Sequence, residues 1–384
     1  MISRAEQSPF SKWWWTVDRW LLFSVLALMV VGMVMIMAAG PPEAERLGTP
    51  TFIYVNRQVV FICVAFVLMI GVSFLPPRWV RRAALLLFAV SYALIIITIM
   101  HRVETKGASR WIFGIQPSEF IKPAFAVLAG WAFSEGARRT GLPGTWIGFF
   151  LLPITIIPLV SQPDFGQTML ITIAWSALFF MAGLHWVWVV GLMGLGGISV
   201  LAAFHFVAHI HTRILKFLDP GQGNGADSFQ VDTAIDSFIN GNWLGKGPGE
   251  GTIKRILPDS HTDFIFAVTG EEFGIVGALV VVSLFAFIVL RGLMQAARNE
   301  DPFARFAATG LLVMFGTQAC INMAVNLRLM PAKGMTLPFI SYGGSSMVAM
   351  AITIGFLLAV TRKRPRSEIA ADKRSRNPKD EALI

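Results

Sequence analysis

The sequence predicts an all-α, polytopic integral membrane protein with about ten transmembrane helices. Hydrophobic residues make up 55% of the 384 residues and charged residues only 14%, whereas soluble domains carry about 25% charge. The apolar residues fall in runs of roughly 18 or more, the length that crosses a bilayer as a helix. The alternating pattern of about ten residues that marks membrane β-strands does not occur in the sequence.

The N-terminal segment 1–18 is polar and basic and contains Trp13, Trp14 and Trp15, which suit the membrane interface. The first apolar run, 20–39, follows directly. It is longer than the apolar core of about 7–15 residues in a secretory signal peptide. We therefore interpret it as an uncleaved transmembrane span.

The remaining predicted spans are separated by short loops, with one exception. They cover residues 52–75, 83–100, 119–133, 145–160, 165–183, 186–207, 270–293, 303–327 and 345–360. A long extracytoplasmic loop, at about 208–269, separates the seventh predicted span from the eighth. The chain therefore divides into a cytoplasmic segment (1–18), a transmembrane domain (19–361) and a basic cytoplasmic tail (362–384).

The charges of the short loops predict the orientation. With an even number of spans, one side holds both termini and most basic loop residues, namely Arg78, Arg81, Arg82, Arg138, Arg139, Arg291, Arg298 and Arg305. By the positive-inside rule this side is the cytoplasm. Much of the net charge of +9 lies in the tail 362–384, which favours contact with anionic membrane lipid over nucleic acid. The basic residues Arg102, Lys106 and Arg110 lie on the opposite side, where an anionic ligand and a loop charge without a role explain them equally.

Two charged residues stand at the start of the fourth predicted span. Glu119 and Lys122 are three residues apart, so they share one helix face and can pair. Ionisable residues at membrane depth are costly and usually line a cavity or pathway. The alternative is an interfacial ion pair that stabilises the helix start, with Ser118 as N-cap.

Asp164 lies between the fifth and sixth predicted spans. Pro163 and Gly166 favour a tight turn there, and Asp is common in such turns for its own hydrogen bonds to the backbone. Turn chemistry alone therefore explains Asp164. A role in a site is the weaker hypothesis at this position.

Two rival sites fail on their spacing. The glycine-rich run 245–251 lacks the Gly and the Ser or Thr that a phosphate loop requires around Lys246. Asp259, His261 and Asp263 do not share one face if the segment is helical, so a three-ligand metal cluster is not expected.

Asp263 stands where a polar segment turns into the eighth predicted span. Ser260 and Asp263 fit the spacing of a capping box, and so do Thr269 and Glu272. A carboxylate at a boundary between water and membrane also fits a catalytic group. Local physics leaves the cap and the catalytic role equally supported.

The segment 322–346 interrupts an apolar stretch with two prolines, Lys333 and the pair Gly343-Gly344. Non-helical backbone near membrane depth is tolerated where it is buried in protein or lines a wet cavity. The segment is therefore a candidate re-entrant wall with Lys333 as an anion contact. An ordinary outer loop is the alternative.

Several motifs together resemble the SEDS family (shape, elongation, division and sporulation), most closely its cell-division branch. They are KGASRWI at 106–112, QPSEFIK at 116–122, QPDFGQ at 162–167, GNWLGKGPG at 241–249, LPDSHTDFIFAVTGEEFG at 257–274 and PAKGMTLPFISYGGSS at 331–346. The resemblance extends from about residue 20 to 363. Arg328 departs from it, because many relatives have a small or uncharged residue there.

The resemblance implies a glycosyltransferase that polymerises lipid II into peptidoglycan on the outer face of the cytoplasmic (inner) membrane, at the division septum. It places Asp263 at the family's essential carboxylate, which we interpret as the general base. Arg110, Glu119, Lys122 and Asp164 fall at other polar positions of the family's central cavity. We expect Lys122, Arg110 and Lys333 to contact the pyrophosphate, and a divalent cation (Mg or Mn) to assist there with ligands not identified.

The resemblance also implies partners: a class B penicillin-binding protein that acts as transpeptidase, and other proteins of the division machinery. Two alternative functions stay open at this point. One is a transporter that moves lipid II across the bilayer, which would require charged groups along the whole path. The other is a division scaffold without catalytic activity, which would leave the charges of the spans without a purpose.

Overall fold

The computed structural model describes residues 8–101, 110–112, 114–138, 143–183, 226–331 and 334–363, together with isolated positions between 187 and 205. Eleven α-helices have described bounds: α1 (Pro9–Thr16), α2 (Arg19–Arg46), α3 (Ile53–Ser73), α4 (Pro77–His101), α5 (Pro117–Arg138), α6 (Gly144–Ser161), α7 (Phe165–Met181), α8 (Ala226–Gly241), α9 (Ile265–Ala297), α10 (Pro302–Asn326) and α11 (Gly344–Thr361). A short 3₁₀ helix, Ile253–Arg255, lies between α8 and α9. The all-α class is confirmed.

Seven of these helices are long and apolar enough to cross a membrane: α2, α3, α4, α6, α9, α10 and α11. The predicted spans other than the seventh, 186–207, each coincide with a helix. The seventh lies largely outside the described residues. So do Arg102, Lys106, Arg139, Lys333 and the tail from 364 onward.

Helix α5 lies at the centre of the assembly. It packs against α4, α6, α7, α10 and α11, and its residues 121–130 are all buried. A Cβ at Gly130 would lie 2.7 Å from the backbone nitrogen of Ala307, so the absence of a side chain lets α10 approach closely. Charged residues are tolerated on α5 because its neighbours, rather than lipid, surround them.

Some helix bounds differ from the prediction. Helix α2 continues through Pro41 and Pro42 to Arg46, where buried Glu43 accepts a 2.6 Å ion-pair contact from Arg46. The predicted polar loop contains α8, and the N-terminal segment contains α1, which the apolar pattern did not indicate. At the other end of the described chain, the Lys363 amide donates to the Thr16 carbonyl at 3.0 Å. Both described ends therefore lie on the same side of the helix assembly.

Helix α9 is broken at Gly274, whose φ of 65° and ψ of −166° are not helical. The loop after α8 docks at this break. The Ile275 amide donates to the Asn242 carbonyl at 3.0 Å, and the Lys246 amide donates to the Glu271 carbonyl at 3.0 Å. Backbone groups freed by the break are thus paired within the protein, as membrane depth requires.

The segment between α10 and α11 is a buried wall rather than an ordinary outer loop. Leu337, Phe339 and Ile340 are at most 2% exposed. Gly32, near the middle of α2, faces this segment so closely that a Cβ there would collide with the Phe339 carbonyl oxygen. The non-helical chain therefore penetrates between helices, as the re-entrant prediction expects. The ends of the predicted segment, 322–326 and 344–346, instead belong to α10 and α11.

Candidate active site

Asp263 lies in the turn that precedes α9, and it is half-buried. Its carbonyl oxygen accepts hydrogen bonds from the side-chain amides of Asn322, at 2.9 Å, and Asn326, at 3.0 Å. A Cβ at Gly334 would lie 3.2 Å from Asp263 Oδ2, so the carboxylate faces the re-entrant wall. The main chain at Asp263 is thus fixed while its carboxylate stands at the junction of two non-helical segments.

The two carbonyls before Asp263 are held by the same wall. The Ser341 hydroxyl donates to the Thr262 carbonyl at 2.6 Å, and the Tyr342 amide donates to the His261 carbonyl at 2.9 Å. Three consecutive carbonyls of the Asp263 segment therefore have defined donors on neighbouring elements.

Both predicted capping boxes are wrong. Helix α9 begins at Ile265, and its N-cap residue Phe264 makes no side-chain cap bond. Ser260 Oγ has no hydrogen-bond partner among the described residues. Thr269 lies inside the helix, where its hydroxyl donates to the Ile265 carbonyl at 3.0 Å. The reciprocal pair of bonds that defines a capping box is therefore not formed between Ser260 and Asp263, because the Ser260 hydroxyl makes none within the described chain and the helix begins later.

Glu272, which the sequence pairs with Thr269 in a capping box, and its neighbour Glu271 instead hold the loop between α8 and α9. Glu271 accepts four hydrogen bonds: from the amides of Thr252 (2.7 Å), Ile253 (2.8 Å) and Lys254 (3.1 Å) and from the Asn240 side chain (3.0 Å). Glu272 pairs with Lys254 and accepts from the Gly249 amide at 3.1 Å. The glycine-rich loop thus brings its backbone to a carboxylate of this chain.

Glu119 and Lys122 form the predicted pair, with Lys122 Nζ 2.8 Å from Glu119 Oε2. Lys122 also donates to Gln318 Oε1 at 2.7 Å, and Gln167 donates to Glu119 Oε1 at 2.6 Å. Neither charged residue is more than 4% exposed. The alternative role for Ser118 as N-cap is wrong, since α5 already begins at Pro117.

Asp164 and Arg110 organise the turn between α6 and α7. Arg110 donates through Nε to the Gln162 carbonyl at 3.1 Å and through Nη2 to the Pro163 carbonyl at 2.6 Å. Ser118 Oγ donates to Asp164 Oδ2 at 3.1 Å. Burial raises the pKa of the Asp164 carboxyl above its usual value, and the positive charge of Arg110 offsets part of that rise.

Three amides on α10 join these groups, and sequence reasoning did not single them out. Gln318, Asn322 and Asn326 are spaced four residues apart and therefore share one helix face. Gln318 binds Lys122 and donates to the Thr336 carbonyl at 3.0 Å. Asn322 donates to the Met335 carbonyl at 2.6 Å as well as to Asp263. The signal in the sequence was the recurrence of amide side chains every four residues in an apolar span, which places them on one face of the helix.

Two further expectations have defined outcomes. Arg328, the departure from the family pattern, pairs with Asp232 of α8 at 2.9 Å and is partly exposed, so it ties α8 to the end of α10.

The described part of the chain contains no group of three His, Cys, Asp or Glu residues that could hold a metal. We therefore assign no residue to the expected divalent cation.

Comparisons with known proteins agree with the motifs. The family described as "Cell cycle protein" (FtsW, RodA and SpoVE) matches residues 19–366. A protein of Caulobacter vibrioides described as "Probable peptidoglycan glycosyltransferase FtsW" is 45% identical over 95% of this chain and 94% of its own length. The chain belongs to the SEDS family, in its FtsW branch. A second relative of the same description, from Halomonas elongata, is 35% identical and covers 93% of this chain and 94% of its own length.

Solved SEDS structures share the fold. One is a chain of a peptidoglycan synthase complex that coordinates polymerization and crosslinking; it has a TM-score of 0.75 and 26% identity, and covers 90% of this chain and 97% of its own. Another is the rod shape determining protein RodA of Thermus thermophilus, with a TM-score of 0.67 and 25% identity, covering 92% of this chain and 99% of its own.

Proposed function

We propose that this SEDS protein is a peptidoglycan glycosyltransferase that polymerises lipid II at the outer face of the cytoplasmic membrane, with Asp263 as general base. The single observation that carries the base assignment is the placement of Asp263. Its main chain is fixed by Asn322 and Asn326, and its half-buried carboxylate faces the re-entrant wall near Gly334. The names of the FtsW relatives support the reaction class.

The proposed step joins two sugars. An Asp263 carboxylate oxygen takes the proton from the 4-hydroxyl of the acceptor sugar, and the hydroxyl oxygen of that sugar attacks the anomeric carbon of the donor sugar. The bond from this carbon to the pyrophosphate breaks, and polyprenyl pyrophosphate leaves with the electron pair. Base and leaving group lie on opposite sides of the sugar, as in inverting glycoside hydrolysis, so the anomeric configuration inverts.

The leaving pyrophosphate requires positive charge. The family resemblance places Lys122 among the candidates, but its ammonium is buried and already binds Glu119 and Gln318. We therefore assign Lys122, with Glu119, to the supporting network, and keep Arg110 and Lys333 as proposed anion contacts. Asp164 supports the turn between α6 and α7 through the hydrogen bond that it accepts from Ser118.

A lipid II transporter fits the charges of α5 less well than an enzyme does. Helix α5 has two ion pairs, Glu119 with Lys122 and Glu135 with Arg138, which lie near its opposite ends. The stretch between them, 123–134, is uncharged. A path for a pyrophosphate would require polar groups between them. The test uses vesicles that contain this protein, with labelled lipid II confined to the inner leaflet and under conditions that prevent polymerisation. The rate at which labelled lipid II reaches the outer leaflet should not exceed the rate in protein-free vesicles.

The partner and the place of action are also proposals. A class B penicillin-binding protein would cross-link the strands that this protein polymerises, and the similarity to a chain from a complex that polymerises and crosslinks supports that pairing. The FtsW branch supports a site of action at the division septum, with other division proteins nearby.

The test of the base compares Asp263→Asn with a matched control, Asp259→Asn. Both carboxylates lie in the same turn and both are half-buried. Asp259 has a φ of 54°, a conformation that Asn tolerates well. With the partner transpeptidase present, lipid II polymerisation should fall about 100-fold or more in Asp263→Asn, since general bases contribute about 10²–10⁴-fold. The control should stay near wild type; polymerisation by folded Asp263→Asn within threefold of wild type would remove the base role.

A further inference from the structure

We infer that Asn322 and Asn326 are positioning residues, which hold the main chain of Asp263 so that its carboxylate meets the acceptor hydroxyl. This inference rests on the proposed function of Asp263. Both amides donate to one acceptor, the Asp263 carbonyl oxygen, at 2.9 and 3.0 Å. A carbonyl oxygen has two lone pairs, so the two bonds saturate it and define the peptide plane next to the carboxylate.

Asn326 has a second contact that secures the helix behind Asp263. Its Oδ1 accepts a hydrogen bond from the Ala267 amide at 3.0 Å. Ala267 is the third residue of α9, in the first turn, where amides lack the usual partner one turn earlier, and the same amide also donates to the Phe264 carbonyl at 3.1 Å. The Phe264 side chain makes no cap bond, so Asn326 of α10 supplies the side-chain cap of α9 from a neighbouring helix. One side chain thus sets both the start of α9 and the carbonyl just before it.

Asn322 joins the same point to the re-entrant wall. Its Nδ2 donates to the Met335 carbonyl at 2.6 Å as well as to the Asp263 carbonyl. Asn322 is 2% exposed and Asn326 is fully buried. Hydrogen bonds are electrostatically stronger away from water, and an unpaired buried amide is costly. The junction of α9, α10 and the wall is therefore held in one arrangement.

A general base requires this degree of order. Proton transfer needs heavy atoms within about 2.6–3.2 Å, and a displacement of about 1 Å lowers rates by about 100-fold. The carboxylate of Asp263 and the carbonyl that the two amides hold belong to the same residue, so a movement of the carbonyl also moves the carboxylate. A loosened peptide plane should therefore lower turnover without altering how lipid II binds elsewhere.

The test uses Asn322→Asp and Asn326→Asp in the full-length protein with its partner transpeptidase. Each change keeps the size of the side chain but removes its donors. Asn326→Asp keeps an oxygen for the Ala267 amide, so it separates positioning from capping. We expect kcat for lipid II polymerisation to fall about 10- to 100-fold while KM stays within about threefold of wild type. If the new charge of Asn322→Asp prevents folding, Asn322→Leu replaces it, because leucine is uncharged and similar in volume. It should show the same fall in kcat with little change in KM.

The matched control is Asn299→Asp, in the short loop that precedes Pro302, the first residue of the same helix. Asn299 also bridges two elements, because its Oδ1 accepts from the Asp301 amide at 3.0 Å and its Nδ2 donates to the Val360 carbonyl at 3.3 Å. It should leave kcat and KM within twofold of wild type.

The outcomes separate this inference from the proposed function. If Asp263→Asn is inactive but the folded variants at 322 and 326 keep kcat within twofold of wild type, the positioning role is wrong and the base role stands. If the variants raise KM with kcat unchanged, the amides bind substrate instead and the inference is overturned. If Asp263→Asn itself stays active, the base assignment fails, and the positioning role fails with it.

Discussion

Lys254 and Glu272 form a buried ion pair between the 3₁₀ helix that follows α8 and the first half of α9, with side chains 3% and 0% exposed. The same lysine donates to the Gly249 carbonyl at 3.0 Å. The segment 255–264, which leads to Asp263, thus starts from a point anchored on the helix that it later joins. The pair therefore links the fold of the loop between α8 and α9 to the geometry of the candidate site.

Removal of one partner of this pair should destabilise the protein. Lys254→Met leaves the Glu272 carboxylate buried without its cation, which should lower the free energy of unfolding by about 3–5 kcal/mol. Thermal unfolding in detergent measures the effect. The matched control is Arg328→Met, because its pair with Asp232 is partly exposed, and exposed pairs contribute about 0–1 kcal/mol. Equal losses for the two variants would contradict the assignment.

The break in α9 should tolerate no side chain at its glycine. Gly274→Ala adds a Cβ that collides with the Trp243 carbonyl, at a φ of 65° and ψ of −166° that only glycine adopts readily. Backbone strain alone should lower the free energy of unfolding by about 1–3 kcal/mol. Gly71→Ala in α3 is the control, since nothing lies within 4 Å of its added Cβ. It should stabilise the helix by about 0.5–1 kcal/mol, and a stable Gly274→Ala variant would argue against the observed break.

The stability contributed by Asp164 should depend on pH. Burial raises the pKa of this carboxyl from its ordinary 3.8. For an acid whose pKa is raised on folding, the native state binds more protons, so its contribution is full below about pH 3.8 and declines as pH rises through the folded-state pKa. Asp164→Asn removes that decline. When the pH is increased from 4 to 8, the unfolding temperature of Asp164→Asn should rise relative to that of the wild type. A constant difference between the two unfolding temperatures would contradict the raised pKa.

The pair of Glu119 and Lys122 offers a test between support and substrate contact. Lys122→Met leaves Glu119 buried without its cation and should lower the free energy of unfolding by about 3–5 kcal/mol. The neutral double variant, Glu119→Gln with Lys122→Met, removes both charges and should recover most of that loss. If the pair only supports the fold, lipid II polymerisation should recover along with stability. A stable but inactive double variant would instead indicate that Lys122 contacts the pyrophosphate of the substrate.

Sequence reasoning located the polar groups of the site but not their partners. Glu119 and Lys122 were paired correctly because i,i+3 spacing acts within one helix. The capping boxes of Ser260 and Thr269 failed because α9 obtains its cap from Asn326, 59 residues away along the chain. No local pattern contains a contact of that kind. The α10 amides were overlooked for the same reason, since each gains its meaning from a different neighbouring element.

The helical membrane class, the positions of most spans and the family follow from the amino-acid sequence, because hydrophobic length and fixed motifs are local properties of the chain. The sequence did not determine which carboxylates hold loops and which one is presented at the junction. Glu271 and Glu272 were assigned to anchoring, and Asp263 to the junction, only when α8, α9, α10 and the re-entrant wall packed together. The physical reason is burial: at membrane depth each polar group must find a partner inside the protein, and only the tertiary structure supplies those partners.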